Sequence, residues 1–98
     1  MTLKTRPFDP AAFLDSEEGM AGYVTEALET GDASFIADAL GVIARARGMA
    51  QVARDAGLSR ESLYRALSPE GNPELSTVSR VVQALGLRLS ASPAGPSA

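Results

Sequence analysis

The sequence predicts an all-α fold: a small helical bundle with a helical extension at its N-terminus and a short strand at its C-terminus. Three observations lead there. Apolar residues recur at i, i+3, i+4 spacing through most of residues 16–85. Glycines stand where the periodic runs stop, at Gly31, Gly48, Gly57 and Gly86. Alternation of the kind that marks a half-buried strand appears in Leu87-Arg88-Leu89-Ser90.

In chain order, residues 2–7 show no period and read as an extended arm. Asp9-Pro10 is a helix start, with aspartate as cap and proline at the first helical position. Residues 11–14 leave room for one short turn, and Phe8, Phe13 and Leu14 can dock. Asp15-Ser16-Glu17-Glu18 has the form of a capping box, with Asp15 as cap and Glu18 reaching back. Met20, Tyr23, Val24, Ala27 and Leu28 then make one face of a helix over residues 16–30. Gly19 and Gly22 weaken that helix by about 1 kcal/mol each relative to alanine, so it depends on tertiary or partner contacts. Asp32 caps a second helix over residues 33–47, whose broad apolar face is Phe35, Ile36, Ala39, Leu40, Ile43 and Ala44. Arg45 and Arg47 fall in its last turn, where cations suit the negative end of the helix dipole and where they are also placed to meet phosphate.

Residues 51–67 read as two short helices around a tight corner. Val52, Ala53 and Ala56 line the inner face of the first. Gly57 turns the chain, Leu58 plugs the corner, and Ser59 stands at the N-cap of the second. Leu63, Ala66 and Leu67 give that second helix its apolar stripe. Arg60, Glu61, Tyr64, Arg65 and Ser68 are left on the opposite face. This is the layout of a helix-turn-helix, whose second helix enters the major groove. A plain αα-corner with a solvated basic face is the competing reading; the spacing of Ala53, Gly57 and Leu63, with Ser59, favours DNA. Ala50 stands where serine or threonine would ordinarily cap the first of the pair, at a loss of roughly 0.5–2 kcal/mol; Gln51 remains as the polar group there.

Residues 68–74 hold two prolines and a glycine and form a loop. Asn72 in it either turns the chain or donates to a phosphate. Leu75, Val78, Val81, Val82 and Leu85 make the last helical stripe, with Ser76, Thr77 and Arg80 outside. The strand at residues 87–90 needs a partner, either its twin in a dimer or an N-terminal segment. Residues 92–98 are small and proline-containing and read as a disordered tail.

Composition narrows the function. Ninety-eight residues with 45% hydrophobic content suit one globular domain with an arm; such a chain buries roughly 60–70% of its unfolded surface. With no cysteine and no histidine, disulfides, thiolate nucleophiles and the commonest general base and metal ligand are excluded. No convergent cluster of carboxylates, lysine or hydroxyls replaces them, so neither an enzyme nor a cofactor is expected. No apolar run approaches a membrane span and no signal-peptide core is present, so a cytoplasmic location is the default. The net charge of −3 is unevenly spread. Residues 1–44 carry two cations against eight acids, a net −6, and residues 45–98 carry seven arginines against four acids, a net +3. Two different partners suit such halves: phosphates for the basic one and a basic protein for the acidic one.

Residues 35–85 resemble the lambda-repressor-like (Cro/C1-type, XRE) helix-turn-helix family. The run Gly57-Leu58-Ser59-Arg60-Glu61-Ser62-Leu63-Tyr64-Arg65-Ala66-Leu67, with Gly71-Asn72-Pro73 and Ala84-Leu85-Gly86-Leu87, is similar to the addiction-module antidotes, the HigA-type antitoxins. Leu3-Lys4-Thr5-Arg6-Pro7-Phe8-Asp9 and Gly31-Asp32 look like the same group. The resemblance implies a small dimer that binds an operator near its own promoter and a RelE/HigB-like toxin that cleaves messenger RNA.

The residues expected at each partner follow. Arg60 and Arg65 are candidates for guanine, a good bidentate pair giving about 1–3 kcal/mol of discrimination. Tyr64 stacks on a sugar or touches a thymine methyl. Glu61 accepts from cytosine or holds Arg65 on its own helix. Gln51, Ser59, Asn72 and Thr77 are phosphate candidates, with Ser68 on the same face. One short reading helix discriminates little, so a homodimer is expected, joined through the strand at residues 87–89 and the helix before it. Residues 1–33 form the acidic toxin-binding portion, with Phe8, Phe13, Leu14, Glu17, Glu18 and Tyr23 as its contacts. Residues 34–90 form the DNA-binding domain and residues 91–98 the tail. A phage-type repressor without a toxin is the alternative, and a pure protein-interaction module the third reading.

Overall fold

The computed structural model describes residues 16–95, in which the ordered elements are helices: α1 (Glu17–Thr30), α2 (Ala33–Arg47), α3 (Met49–Ala56), α4 (Arg60–Ala66) and α5 (Leu75–Ala84). The expected arm, the short turn at residues 9–14 and the side chains of Phe8, Phe13 and Leu14 lie outside the described residues, as do residues 96–98.

The start of α1 differs by one residue from expectation. Ser16, not Asp15, is the cap: its backbone is extended and its Oγ accepts from the Gly19 N–H at 2.9 Å. A hydroxyl three residues ahead of an orphan amide satisfies it directly. Glu17 and Glu18 then fall in the first turn, where the dipole favours them. Met20, Val24 and Ala27 are buried, and the Leu28 carbonyl closes the helix by accepting from the Gly31 N–H at 3.1 Å.

Asp32 caps α2 as its sequence predicts, Oδ1 accepting from the Ser34 and Phe35 amides at 3.0 and 3.3 Å. Leu40 and Ile43 are wholly buried, and α1 packs along this face. Phe35 is a correction: it is 50% exposed. It lies in the first turn of α2, ahead of the stretch that neighbouring helices cover, where full burial starts at Ala37.

Gly48 ends α2 and starts α3. At φ +107° it occupies backbone space that side chains rarely enter, which allows one residue to break and restart the helix. Its N–H donates to the Ala44 carbonyl, and its carbonyl accepts from Val52. The helix therefore begins at Met49, and the position lacking a side-chain cap is Gly48 rather than Ala50.

Gly57 turns the chain between α3 and α4 at φ +75°. The Leu58 N–H donates to the Ala53 carbonyl at 2.9 Å, and the Leu58 side chain packs against the core. Ser59 Oγ accepts from the Ser62 N–H at 3.0 Å and opens α4. Leu63 and Leu67 point inward and are buried.

Loop 68–74 is held near its start. The Gly71 N–H donates to the Ser68 carbonyl, and Ser34 Oγ donates to the Pro69 carbonyl at 2.9 Å, tying the loop to the start of α2. Asn72 has φ +46°, a left-handed turn conformation that asparagine tolerates. In α5, Val78, Val81 and Val82 are buried against α3 and the core, but Leu75, expected in the stripe, is 75% exposed. Like Phe35 it stands at the first turn, before its neighbours reach it.

The expected strand is also corrected. Leu87 and Leu89 are half-buried and Arg88 and Ser90 exposed, so the alternation is real. No ladder forms among the described residues, because no second extended segment lies alongside. The Leu87 N–H instead donates to the Val82 carbonyl at 3.0 Å, finishing α5.

One core joins these elements. Met20, Leu40, Ile43, Leu63, Leu67, Val81 and Val82 are its largest fully buried side chains, and among the described residues no polar or charged side chain is buried with them. Leu63→Ala should therefore cost about 2–5 kcal/mol in urea unfolding, while Leu75→Ala should stay within about 0.5 kcal/mol of the parent. Gly71→Ala should cost about 1–3 kcal/mol, because a Cβ there would collide with the carbonyls of Arg65 and Ala66.

Candidate nucleic-acid interface

The outer face of α4 follows from its inner one. Burying Leu63 and Leu67 fixes the rotation of a seven-residue helix about its axis. Ser59 fixes where that helix begins. Arg60, Glu61, Tyr64 and Arg65 are then all exposed. Tyr64, at 44% exposure, is one of three large apolar or aromatic side chains so displayed among the described residues.

Arg60 and Tyr64 are not independent. They are four residues apart, and the Arg60 guanidinium carbon sits 5.7 Å from the Tyr64 ring centroid. At that range the ring face attracts the cation by about 0.5–1 kcal/mol at an exposed site. The contact narrows the rotamers of a long side chain and leaves the guanidinium N–H fork exposed at the start of the helix.

The remaining sequence-derived candidates divide by what their polar atoms already do. Ser59 and Ser68 have structural bonds: Ser59 Oγ also donates to Ser62 Oγ at 2.9 Å, and Ser68 Oγ donates to the Arg65 carbonyl at 3.0 Å. Gln51 is exposed but engaged along α3, donating to Asp55 Oδ1 and accepting from Arg54 Nη1, each at 2.9 Å. Asn72 is exposed in its turn, and Thr77 is half-buried in the first turn of α5. Gln51, Arg60 and Thr77 thus stand in the first turns of α3, α4 and α5 respectively. All seven arginines of residues 45–98 are exposed.

Of the expected toxin contacts, Glu17 and Glu18 are exposed at the start of α1 and Tyr23 is half-buried against the core. The structure brings them next to a feature that periodicity does not show. The start of α1 lies against the end of α5, so close that a Cβ built on Gly86 would stand 2.9 Å from Glu17 Oε2. Beside it, α1 and the segment after α5 enclose a cleft of about 550 Å³, floored by Val24, Leu28, Val82, Leu87 and Leu89. The alternation of Leu87 and Leu89 was the one sequence signal of this surface. Among the described residues no three His, Cys, Asp or Glu side chains gather as metal ligands would. No helix among them is long and apolar enough to cross a membrane.

Residues 4–93 match the family described as "probable addiction module antidote protein", and the chain belongs to that family. A Haemophilus influenzae protein that carries the name "Uncharacterized protein" is 51% identical over 88 residues, covering 90% of this chain and 91% of the relative. No solved structure matches. An antidote acts by binding, not by catalysis, and it implies a toxin partner.

Because the outer face of α4 is exposed, its residues can be changed without disturbing the core. Arg65→Ala should unfold within about 0.5 kcal/mol of the parent by thermal denaturation, and Arg60→Ala within about 1 kcal/mol, because it also loses the contact with the Tyr64 ring. Ser59→Ala should cost about 1 kcal/mol, the worth of an N-cap.

Proposed function

We propose that this antidote is an antitoxin and autorepressor, HigA-like and of the lambda-repressor-like helix-turn-helix type. It binds a RelE/HigB-like toxin and, as a homodimer in the cytoplasm, the operator of its own operon. One observation supports the DNA reading above the others. The buried Leu63 and Leu67 turn Arg60, Tyr64 and Arg65 outward along one edge of α4, directly after a glycine corner.

On this reading α3 and α4 are the helix pair and α4 enters the major groove. Arg60 and Arg65 donate to guanine O6 and N7, and Tyr64, carrying Arg60 over its ring, lies against a sugar or a thymine methyl. Glu61 accepts from a cytosine amine. Gln51, Ser59, Asn72 and Thr77 set register on the phosphates, with Ser68 holding the end of α4. The first turns of α3 and α5 carry free backbone amides and the positive ends of their dipoles, which suits a duplex backbone. Two copies on half-sites about one helical turn apart supply the discrimination that one short helix lacks.

The toxin is assigned to residues 1–33, residues 34–90 to DNA, and residues 91–98 to a tail. Eight acids before residue 45 favour encounter with a basic protein, and apolar residues such as Phe8, Phe13, Leu14 and Tyr23 hold the complex. Glu17 and Glu18 steer from the exposed start of α1. Removing α1 would empty the core of Met20 and Val24, so the informative truncation ends before the Ser16 cap.

Arg60→Ala and Arg65→Ala should each weaken operator binding about 5- to 150-fold and relax preference at one base pair, as measured by fluorescence anisotropy. Unchanged affinity and preference would remove them from the groove. A chain lacking residues 1–15 should still shift operator DNA but no longer rescue growth when the neighbouring toxin gene is induced. Full rescue by that truncation would move the toxin site elsewhere.

A further inference from the structure

The cleft of about 550 Å³ beside α1 is built by stretches far apart in the chain. Its floor is Val24 and Leu28 of α1, Val82 of α5, and Leu87 and Leu89 of the segment that follows. Val24 and Val82 are buried, but Leu28, Leu87 and Leu89 are only half-buried, which leaves apolar surface for a partner to cover. Ala21, Thr25 and Glu29 line the cleft along the flank of α1. They are spaced four residues apart, so they stack on one face and run for about 12 Å, two turns of a helix. Ala21 and Thr25 are small, so a partner's backbone can come close to α1 there. Ser92, Pro93 and Ala94 line the same cleft from the other end of the chain.

Charge narrows the occupant. A second cleft, lined by Glu17 and Glu18, shares Ala21, Leu87, Arg88 and Ser90 with the first, so the two meet. Together they set Glu17, Glu18 and Glu29 against Arg88 alone. Three carboxylates to one guanidinium repel phosphate and favour a cationic partner. A second copy of this chain would bring three more carboxylates to the same place, which disfavours self-association through it.

We propose that this joined cleft is the seat of the toxin and that it takes about two turns of an amphipathic helix whose apolar face is flanked by lysine or arginine. The proposal rests on the reading that the acidic portion binds a basic toxin, and it extends that site to residues 87–94. Leu28, Leu87 and Leu89 receive the apolar anchors. Glu29 at one end, and Glu17 and Glu18 at the other, receive the cations. The apolar contact sets how slowly the toxin leaves, and the carboxylates set how fast it arrives. The toxin site is therefore composite. Its second half comes from a segment otherwise assigned to the DNA-binding part and the tail.

Because the chain has no cysteine, the seat can be mapped by alkylation of single-cysteine variants of the full chain. Thr25 and Ser92 are exposed and line the cleft, and Glu26 is exposed and lines neither cleft. With the purified product of the neighbouring toxin gene at saturation, Thr25→Cys and Ser92→Cys should lose most of their reactivity toward maleimide, and Glu26→Cys should keep its own. Leu89→Ala should release the toxin about tenfold faster. Thr25→Arg, at an exposed helix position, should do the same without touching the core. Glu26→Arg should slow association and leave release unchanged. Toxin that binds the full chain yet leaves Ser92→Cys reactive, with release from Leu89→Ala at the parental rate, would overturn the composite seat and leave residues 1–33 as the toxin site. Toxin that does not bind would overturn both readings. Protection of Thr25→Cys by a higher concentration of the chain alone would give the cleft to a second copy. Reactivity gained on deleting residues 1–15 would give it to the chain's own N-terminal segment, and either result would overturn the proposal.

Discussion

Two helices of eight and seven residues are at the centre of this molecule, and neither can hold itself together. Isolated helices of that length are unstable in water, because nucleation is not repaid before the chain ends. Their existence depends on burial. Met49, Val52, Ala53 and Ala56 give α3 an inner face of which two side chains are alanines, and α2, α4 and α5 all pack against that helix. Small residues there let three neighbours approach a short helix closely. The same burial fixes the rotation of α4, and the rotation decides what α4 displays. The candidate reading edge is thus a consequence of core packing and not a separate feature.

The core also explains how an acidic segment and a basic face share a short chain. Met20 and Val24 of α1 enter the same apolar interior as Leu63 and Leu67 of α4. The acids on α1 are exposed at its start and along its outer side, and the arginines of the later helices are exposed around the corner and beyond. No buried charge links the two sets among the described residues. The described acidic and basic parts are therefore joined through a shared apolar core.

The segment after α5 stands apart from this economy of packing. It docks its leucines half-way, and among the described residues its last backbone hydrogen bond runs from the Leu87 N–H to the Val82 carbonyl. Three of the five described helices start on a side-chain cap, from Ser16, Asp32 and Ser59, and three end at a glycine, Gly31, Gly48 or Gly57.

Most of the local structure was legible because its causes are local. The caps at Asp32 and Ser59, the stops at Gly31, Gly57 and Gly86, and the stripe of Leu63 and Leu67 each depend on residues within a turn of one another. Family membership, too, agrees with a resemblance carried by short runs of sequence. What the tertiary structure decided is how far each stripe is covered. Phe35 and Leu75 satisfy the helical period yet stay exposed, because periodicity states which face is apolar and not where the neighbouring helix begins. Alternation at Leu87 and Leu89 identified which side chains are half-buried, but a ladder requires a second strand, and no local pattern can say whether one is present. The closeness of Glu17 to Gly86, and with it the cleft beside α1, joins residues far apart in the chain. Such a contact is set by the packing of whole helices, and it becomes visible only once they are in place.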